Sequence, residues 1–202
     1  MIGSAIKTAF ELQVDDLSEL SDSEAYTLMN KVYRKILSFK DWSFLHSIYS
    51  GTISGTDLTL PADFDQLLDN FNYAGDLDYN VGSYVFVGTA RSPYKIIKIG
   101  ERNKYRDSSG YCYVDYKNNK IVFTKAPGDV AAEFDYKYVP DDITSSTSPV
   151  IPARFHSVFQ HGMAMEDFII QQSPKAKSYA GENKGMFDSL VEDIAIWDTK
   201  QI

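Results

Sequence analysis

Three histidines, His46, His156 and His161, are the side chains best suited to proton transfer or metal binding in this chain of 202 residues. His156 and His161 fall on a stretch with helical periodicity. At about 100° per residue, their spacing turns them roughly 140° apart. An i, i+4 pair shares a metal; this pair does not, and both read as helix-surface or interface residues. Carboxylates are more numerous, but Asp141-Asp142, Glu166-Asp167 and Glu192-Asp193 are adjacent pairs. Glycoside hydrolysis needs two carboxyls facing each other across a substrate, and neighbours on a helix point apart. These pairs read as solvated faces. The single cysteine, Cys112, excludes an intrachain disulfide. It sits in the alternating run Tyr111-Cys112-Tyr113 with no cation or His beside it to make it reactive, so it reads as a small packed side chain. No Gly-x-Ser-x-Gly elbow, Walker loop or dinucleotide fingerprint is present. Gly181-Glu182-Asn183-Lys184-Gly185 lies inside a helical pattern and lacks the Gly-Lys-Ser/Thr ending of a phosphate loop. The residues assign no catalytic group, no metal and no cofactor.

One cationic cluster stands out: Arg91, Lys95, Lys98, Arg102, Lys104 and Arg106, with only Glu101 among them and Tyr94 and Tyr105 interleaved. Alone it resembles a nucleic-acid patch. Lys95 and Lys98, however, have odd spacing on a predicted strand and point to opposite faces. Arg102, Lys104 and Arg106 fall in a predicted loop. Three readings stay open for it: a solvated loop, a contact with an acidic neighbouring subunit, or a contact with DNA. The net charge of −8 argues against a protein that grips nucleic acid, because phosphate contacts need an excess of Lys and Arg. An acidic wall still suits a channel through which DNA must slide.

The elements that must position these groups fall into blocks. Apolar residues make up 44% of the chain and charged ones 24%, a composition that supports a packed core and argues against disorder. No run is long and apolar enough to span a bilayer, and the N-terminus lacks the pattern of a secretory leader. The expectation is a soluble protein made in the cytoplasm. Residues 1–42 read as helical, with a short helix around Ser4–Leu12. A longer one runs over Asp22–Lys40, opened by the capping box Ser21-Asp22-Ser23-Glu24. Ala25, Leu28, Met29, Val32, Ile36 and Phe39 form its apolar stripe, with Lys31, Arg34 and Lys35 facing away. Residues 43–140 hold eleven of the fourteen tyrosines and read as strands. The clearest are Tyr84–Val87, Tyr94–Ile99, Tyr111–Asp115, Ile121–Thr124 and Ala132–Val139. Turns at Lys117-Asn118-Asn119-Lys120 and Ala126-Pro127-Gly128-Asp129 read as hairpins, and Ser47–Thr52 is expected to pair with Thr56–Leu60 across Ser54-Gly55. Residues 141–149, rich in Ser and Thr, read as a linker. Residues 150–202 return to helix. Gly162 there would allow two helices to approach closely. After a break at Ser173-Pro174, Tyr179, Met186, Phe187, Leu190, Val191, Ile194 and Trp197 mark the apolar side of a last helix. The fold class is therefore α+β: a helical bundle from both ends of the chain, with an inserted antiparallel β domain, a small sandwich or barrel-like sheet.

The order of motifs carries a further signal. A helix ends in Asp41-Trp42-Ser43-Phe44-Leu45, and Leu58-Thr59-Leu60-Pro61-Ala62-Asp63-Phe64 follows. Then come Ile121-Val122-Phe123-Thr124-Lys125-Ala126-Pro127, Tyr136-Lys137-Tyr138-Val139-Pro140 and the helix-opening Ile151-Pro152-Ala153-Arg154-Phe155-His156. This series, over about Asp22 to Trp197, resembles the head-to-tail adaptor proteins of tailed bacteriophages, the group that includes tail tubular protein A. The resemblance implies a non-enzymatic subunit of the virion neck, assembled in the host cytoplasm. It implies a ring of identical copies, commonly twelvefold, below the portal. The ring would extend the DNA channel without specific DNA binding and carry nozzle or fibre proteins. Trp197 and Ile202 are the expected portal contacts, and Arg102, Lys104 and Arg106 the expected subunit or DNA contacts. A receptor-binding β module and a cell-wall hydrolase are the competing expectations.

Overall fold

The computed structural model describes residues 1–14, 20–68, 83–171 and 174–201. These contain four α-helices and eight strands, in two compact units. One unit comprises Met1–Leu45 with Pro140–Ile202, and the other His46–Val139. The class is α+β, with a nearly closed, barrel-like sheet.

The helical unit holds α1 (Gly3–Val14), α2 (Asp22–Leu37), α3 (Ser157–Gln171) and α4 (Pro174–Thr199). α2 begins where the capping box places it: Glu24 N–H donates to the Ser21 hydroxyl, and Ser21 N–H donates back to Glu24 Oε2 at 2.9 Å. Ala25, Leu28, Met29, Val32, Tyr33 and Ile36 form its buried stripe. The helix stops at Leu37, three residues short of expectation, and Phe39 leaves the stripe at 57% exposure. Trp42 explains the stop. Its fully buried indole lies under the last turn, and Nε1–H donates to the Ile36 carbonyl at 2.8 Å, taking one of the acceptors a helix end leaves open.

α3 packs on α1, α2 and α4. At Gly162 the approach is close: a Cβ there would sit 2.5 Å from Val32 Cγ1 and 3.0 Å from Phe187 Cδ2. α4 buries Ala180, Phe187, Val191, Ile194 and Asp198, a narrower stripe than expected. Met186 belongs outside it, since it lies about 100° from Phe187 and is 53% exposed. Residues 141–149 are tied to the helices: Asn30 and the Ile143 backbone exchange two hydrogen bonds of 3.0 and 2.7 Å, and Ile143 is buried.

The β unit is one sheet of β1 (His46–Thr52), β2 (Asp57–Thr59), β3 (Phe64–Leu67), β4 (Tyr84–Val87), β5 (Ser92–Ile96), β6 (Tyr111–Asp115), β7 (Lys120–Phe123) and β8 (Ala131–Tyr138). The order is β1-β8-β4-β5-β6-β7-β2, with β3 also on β8. Alternate residues of its strands point inward, so Val85, Val87, Cys112, Val114, Ile121, Phe123, Phe134 and Tyr136 share one core.

Three expectations about pairing fail. β1 pairs with β8 and β2 with β7; the two touch through the Ser54–Asp57 bridge rather than forming a hairpin. The turn at Ala126–Asp129 links β7 to β8, which are not neighbours in the sheet. The sheet is also mixed, because β5 and β6 run parallel, with Lys95 opposite Tyr111 and Ile96 opposite Cys112. A parallel pair needs a crossover, and residues 97–110 supply it. That crossover removes Lys98 from the strand, leaving it just ahead of a short 3-10 turn, Ile99–Glu101. The Asp115–Lys120 hairpin forms as expected, with Asn119 at φ 50°.

Candidate functional site

The groups singled out for chemistry do not converge. Cys112 is fully buried, and burial pushes its thiol far above the ordinary value, so little thiolate forms at neutral pH. His46 is exposed on β1. His161 Nδ1 lies 3.0 Å from Asn183 Oδ1 and 3.2 Å from Gln13 Nε2. His156, expected at a surface, is buried instead. Its Nε2 bonds the Ile151 carbonyl at 2.7 Å, and burial lowers its pKa against the opposing pull of that carbonyl. Among the described residues, no three His, Cys, Asp or Glu side chains are grouped to hold a metal.

Two carboxylates depart from their expected solvated faces, and a third, Asp198, is also buried. Glu166 and Asp167 are each 4% exposed, and Asp198 is fully buried. Glu166 on α3 receives Lys31 Nζ at 2.5 Å on one oxygen and Lys35 Nζ on the other. Lys31 and Lys35 are one helical turn apart on α2, so both ammoniums reach the same carboxyl. Asp198 near the end of α4 accepts from Ser43 N–H at 3.0 Å and Ser43 Oγ–H at 2.5 Å, and pairs with Lys40 at 2.9 Å. Burial alone would raise both carboxyls. The ammoniums and hydroxyl outweigh it and hold both below their ordinary values. Each acid is ionised and fully bonded, so these groups lock α2 to α3 and the Trp42–Leu45 segment to α4.

Around Asp198 lies an aromatic ladder. Phe39 stacks on Trp42 at 6.2 Å and Trp42 on Phe44 at 5.3 Å; Trp197 follows at 6.4 Å from Phe44 and Phe155 at 5.8 Å from Trp197. The Arg154 guanidinium lies 5.0 Å over the Trp197 ring and 4.7 Å over Phe155. Trp197 is half-buried. Ile202 lies outside the described residues.

The cationic cluster divides. Arg91 is committed to the sheet, paired with Glu133 at 2.7 Å and stacked over Phe86 at 4.9 Å. Lys98, Arg102, Lys104 and Arg106 all stand exposed on the β5–β6 crossover. Tyr105 stacks on Tyr111 at 4.2 Å, and Lys104 Nζ lies 5.0 Å over Tyr105, which fixes the base of the loop and leaves its charges outward. An open groove of about 800 Å³ also runs between α2 and residues 142–145. Its polar walls are bonded to each other, Arg34 taking both Asp142 oxygens at 2.9 Å.

Fold and surfaces together define a two-unit α+β protein whose interior charges hold its shape and whose exposed chemistry lies on a loop and on helix faces. The chain belongs to the SU10 adaptor protein family, whose model matches residues 1–201. That membership agrees with the resemblance to phage head-to-tail adaptors read from the motif order. No curated protein matches the chain.

Proposed function

We propose that the chain is a structural virion protein, a head-to-tail adaptor that forms a ring below the portal, extends the DNA channel and supports tail attachment. Membership of an adaptor family over essentially the whole chain carries this reading. The site chemistry supports it: Glu166 and Asp198 are bonded on all sides, and the exposed groups suit contact between surfaces. The adaptor works without catalysis or cofactor. Its partners are further copies of itself, twelve in the ring, the portal, and nozzle or fibre proteins, and DNA passes without specific binding. Its place is the virion neck; among the described residues no helix is long and apolar enough to cross a membrane. The aromatic end of α4, with Trp197 and beyond it Ile202, is the portal contact, since Trp beside Arg is the composition of binding hot spots.

Electron microscopy of purified portal rings mixed with the full chain tests this. The expected particle carries an added tier of subunits on one end of the portal. A chain that stays monomeric and leaves the portal bare would overturn the reading. So would cell-wall turnover lost on a single carboxylate substitution.

A further inference from the structure

We propose that the exposed crossover loop Lys98–Arg106 of one copy docks on the outward face of α4 of the next copy, and that this is the contact that builds the ring. The inference rests on the ring reading above and names the surfaces that make it.

Two observations meet in it. The loop presents Lys98, Arg102, Lys104 and Arg106 to solvent, in a chain whose net charge is −8. Its charges are poorly answered locally: Arg106 meets the adjacent Asp107 only at 3.9 Å, and Lys98 and Arg102 have no ion-pair partner among the described residues. The face of α4 opposite its buried stripe has the converse character. Ile196 stands 55% exposed there with Gly185 and Ser189 as low ground on the same side, and Met186, 53% exposed, borders it about 100° from Phe187. Glu182, Glu192 and Asp193 surround them, all exposed and without ion-pair partners among the described residues. The flanking Lys184 and Asp188 neutralise each other and leave the face acidic. Exposed apolar side chains set among unpaired charge of one sign suit contact with a surface of the opposite charge. The loop, with the stacked Tyr105 and Tyr111 at its base, is a rigid counterpart of opposite sign.

A contact between unlike surfaces is compatible with a ring. A loop-on-face contact repeated in one direction is head-to-tail, and head-to-tail contacts close into rings when the rotation per subunit allows. DNA phosphates would also take the loop's cations, but they would leave the acidic and apolar face of α4 uncovered.

Two triple variants decide it: one reverses the loop (Arg102→Glu, Lys104→Glu, Arg106→Glu), the other the face (Glu182→Lys, Glu192→Lys, Asp193→Lys). All six positions are exposed, and circular dichroism checks that both variants fold. Assembly on portal rings is followed by sedimentation and electron microscopy. Each variant alone opposes like charges at every contact, and should need at least about tenfold more protein to assemble than the native chain. A one-to-one mixture restores opposite charges at every contact, in alternation around the ring, and should assemble like the native chain. Native rings with variants that also form rings alone would sink this contact while leaving the adaptor reading standing. Unchanged rings with weakened binding of the loop variant to a DNA duplex would give the loop to phosphate instead. No assembly by the native chain would remove both readings.

Discussion

A carboxylate buried under a helix stays ionised only with cations at hand, and Glu166 has Lys31 and Lys35. Its folded carboxyl ionises below the ordinary 4.5, to which the unfolded chain returns. Between those two values the unfolded chain binds more protons than the folded one, so stability rises with pH there. The stabilisation is therefore complete above 4.5 and is lost as the pH falls through the depressed folded value. Asp198 acts in the same direction from its ordinary 3.8. Glu166→Gln should cost about 1–2 kcal/mol at pH 7, less than the ~3–5 kcal/mol of breaking a fully buried pair, because both half-exposed lysines can turn to water. It should also flatten the loss of stability on the acid side. Urea unfolding across a pH series measures both, and an unaltered acid slope would show that Glu166 is not the titrating group. The signal for this residue was half visible in the sequence: Lys31 and Lys35 share a helix face, but their acid lies 135 and 131 residues away. His156 was hidden for a different reason: its partner Ile151 is only five residues away, but bonds it from a turn that periodicity does not describe.

At the scale of elements, Gly162 decides how closely α3 approaches α2 and α4. An alanine methyl would meet Val32, a stiff and fully buried side chain, at 2.5 Å. Overpacking of about 1–3 kcal/mol outweighs the roughly 1 kcal/mol that alanine adds to a helix, so Gly162→Ala should lower stability by about 1 kcal/mol. Gly181→Ala on α4, where nothing lies within 4 Å, should raise it by about 0.5–1 kcal/mol. Thermal melts of the two variants should therefore shift in opposite directions. Helices and strands were legible because their signals are local: the capping box set the start of α2, and Asn119 set the tight turn of β6 and β7. Partnership in the sheet was not. A turn says that the chain reverses; it does not say which strand lies alongside. Closure of the sheet gave β1 to β8 and β2 to β7, and the parallel β5–β6 pair has no signature in either strand. The cations of the candidate contact were legible as a cluster, while their partner face was hidden. Met186 was read as part of the apolar side of α4, where one residue of phase separates the core from the surface.

For the whole molecule, each unit has its own core, and the β unit is bounded by paired strands, His46 opposite Lys137. Residues 46–139 made alone should therefore fold, with a cooperative thermal transition and dispersed amide resonances. A chain without such a transition would show that the strands need the helical unit to hold them. The same pairing sets what the helical frame must accommodate. Because the first and last strands of the module pair antiparallel, its entry and its exit lie side by side, however long the chain within. Residues can therefore be added or removed within the module without moving the two points where the chain enters and leaves it.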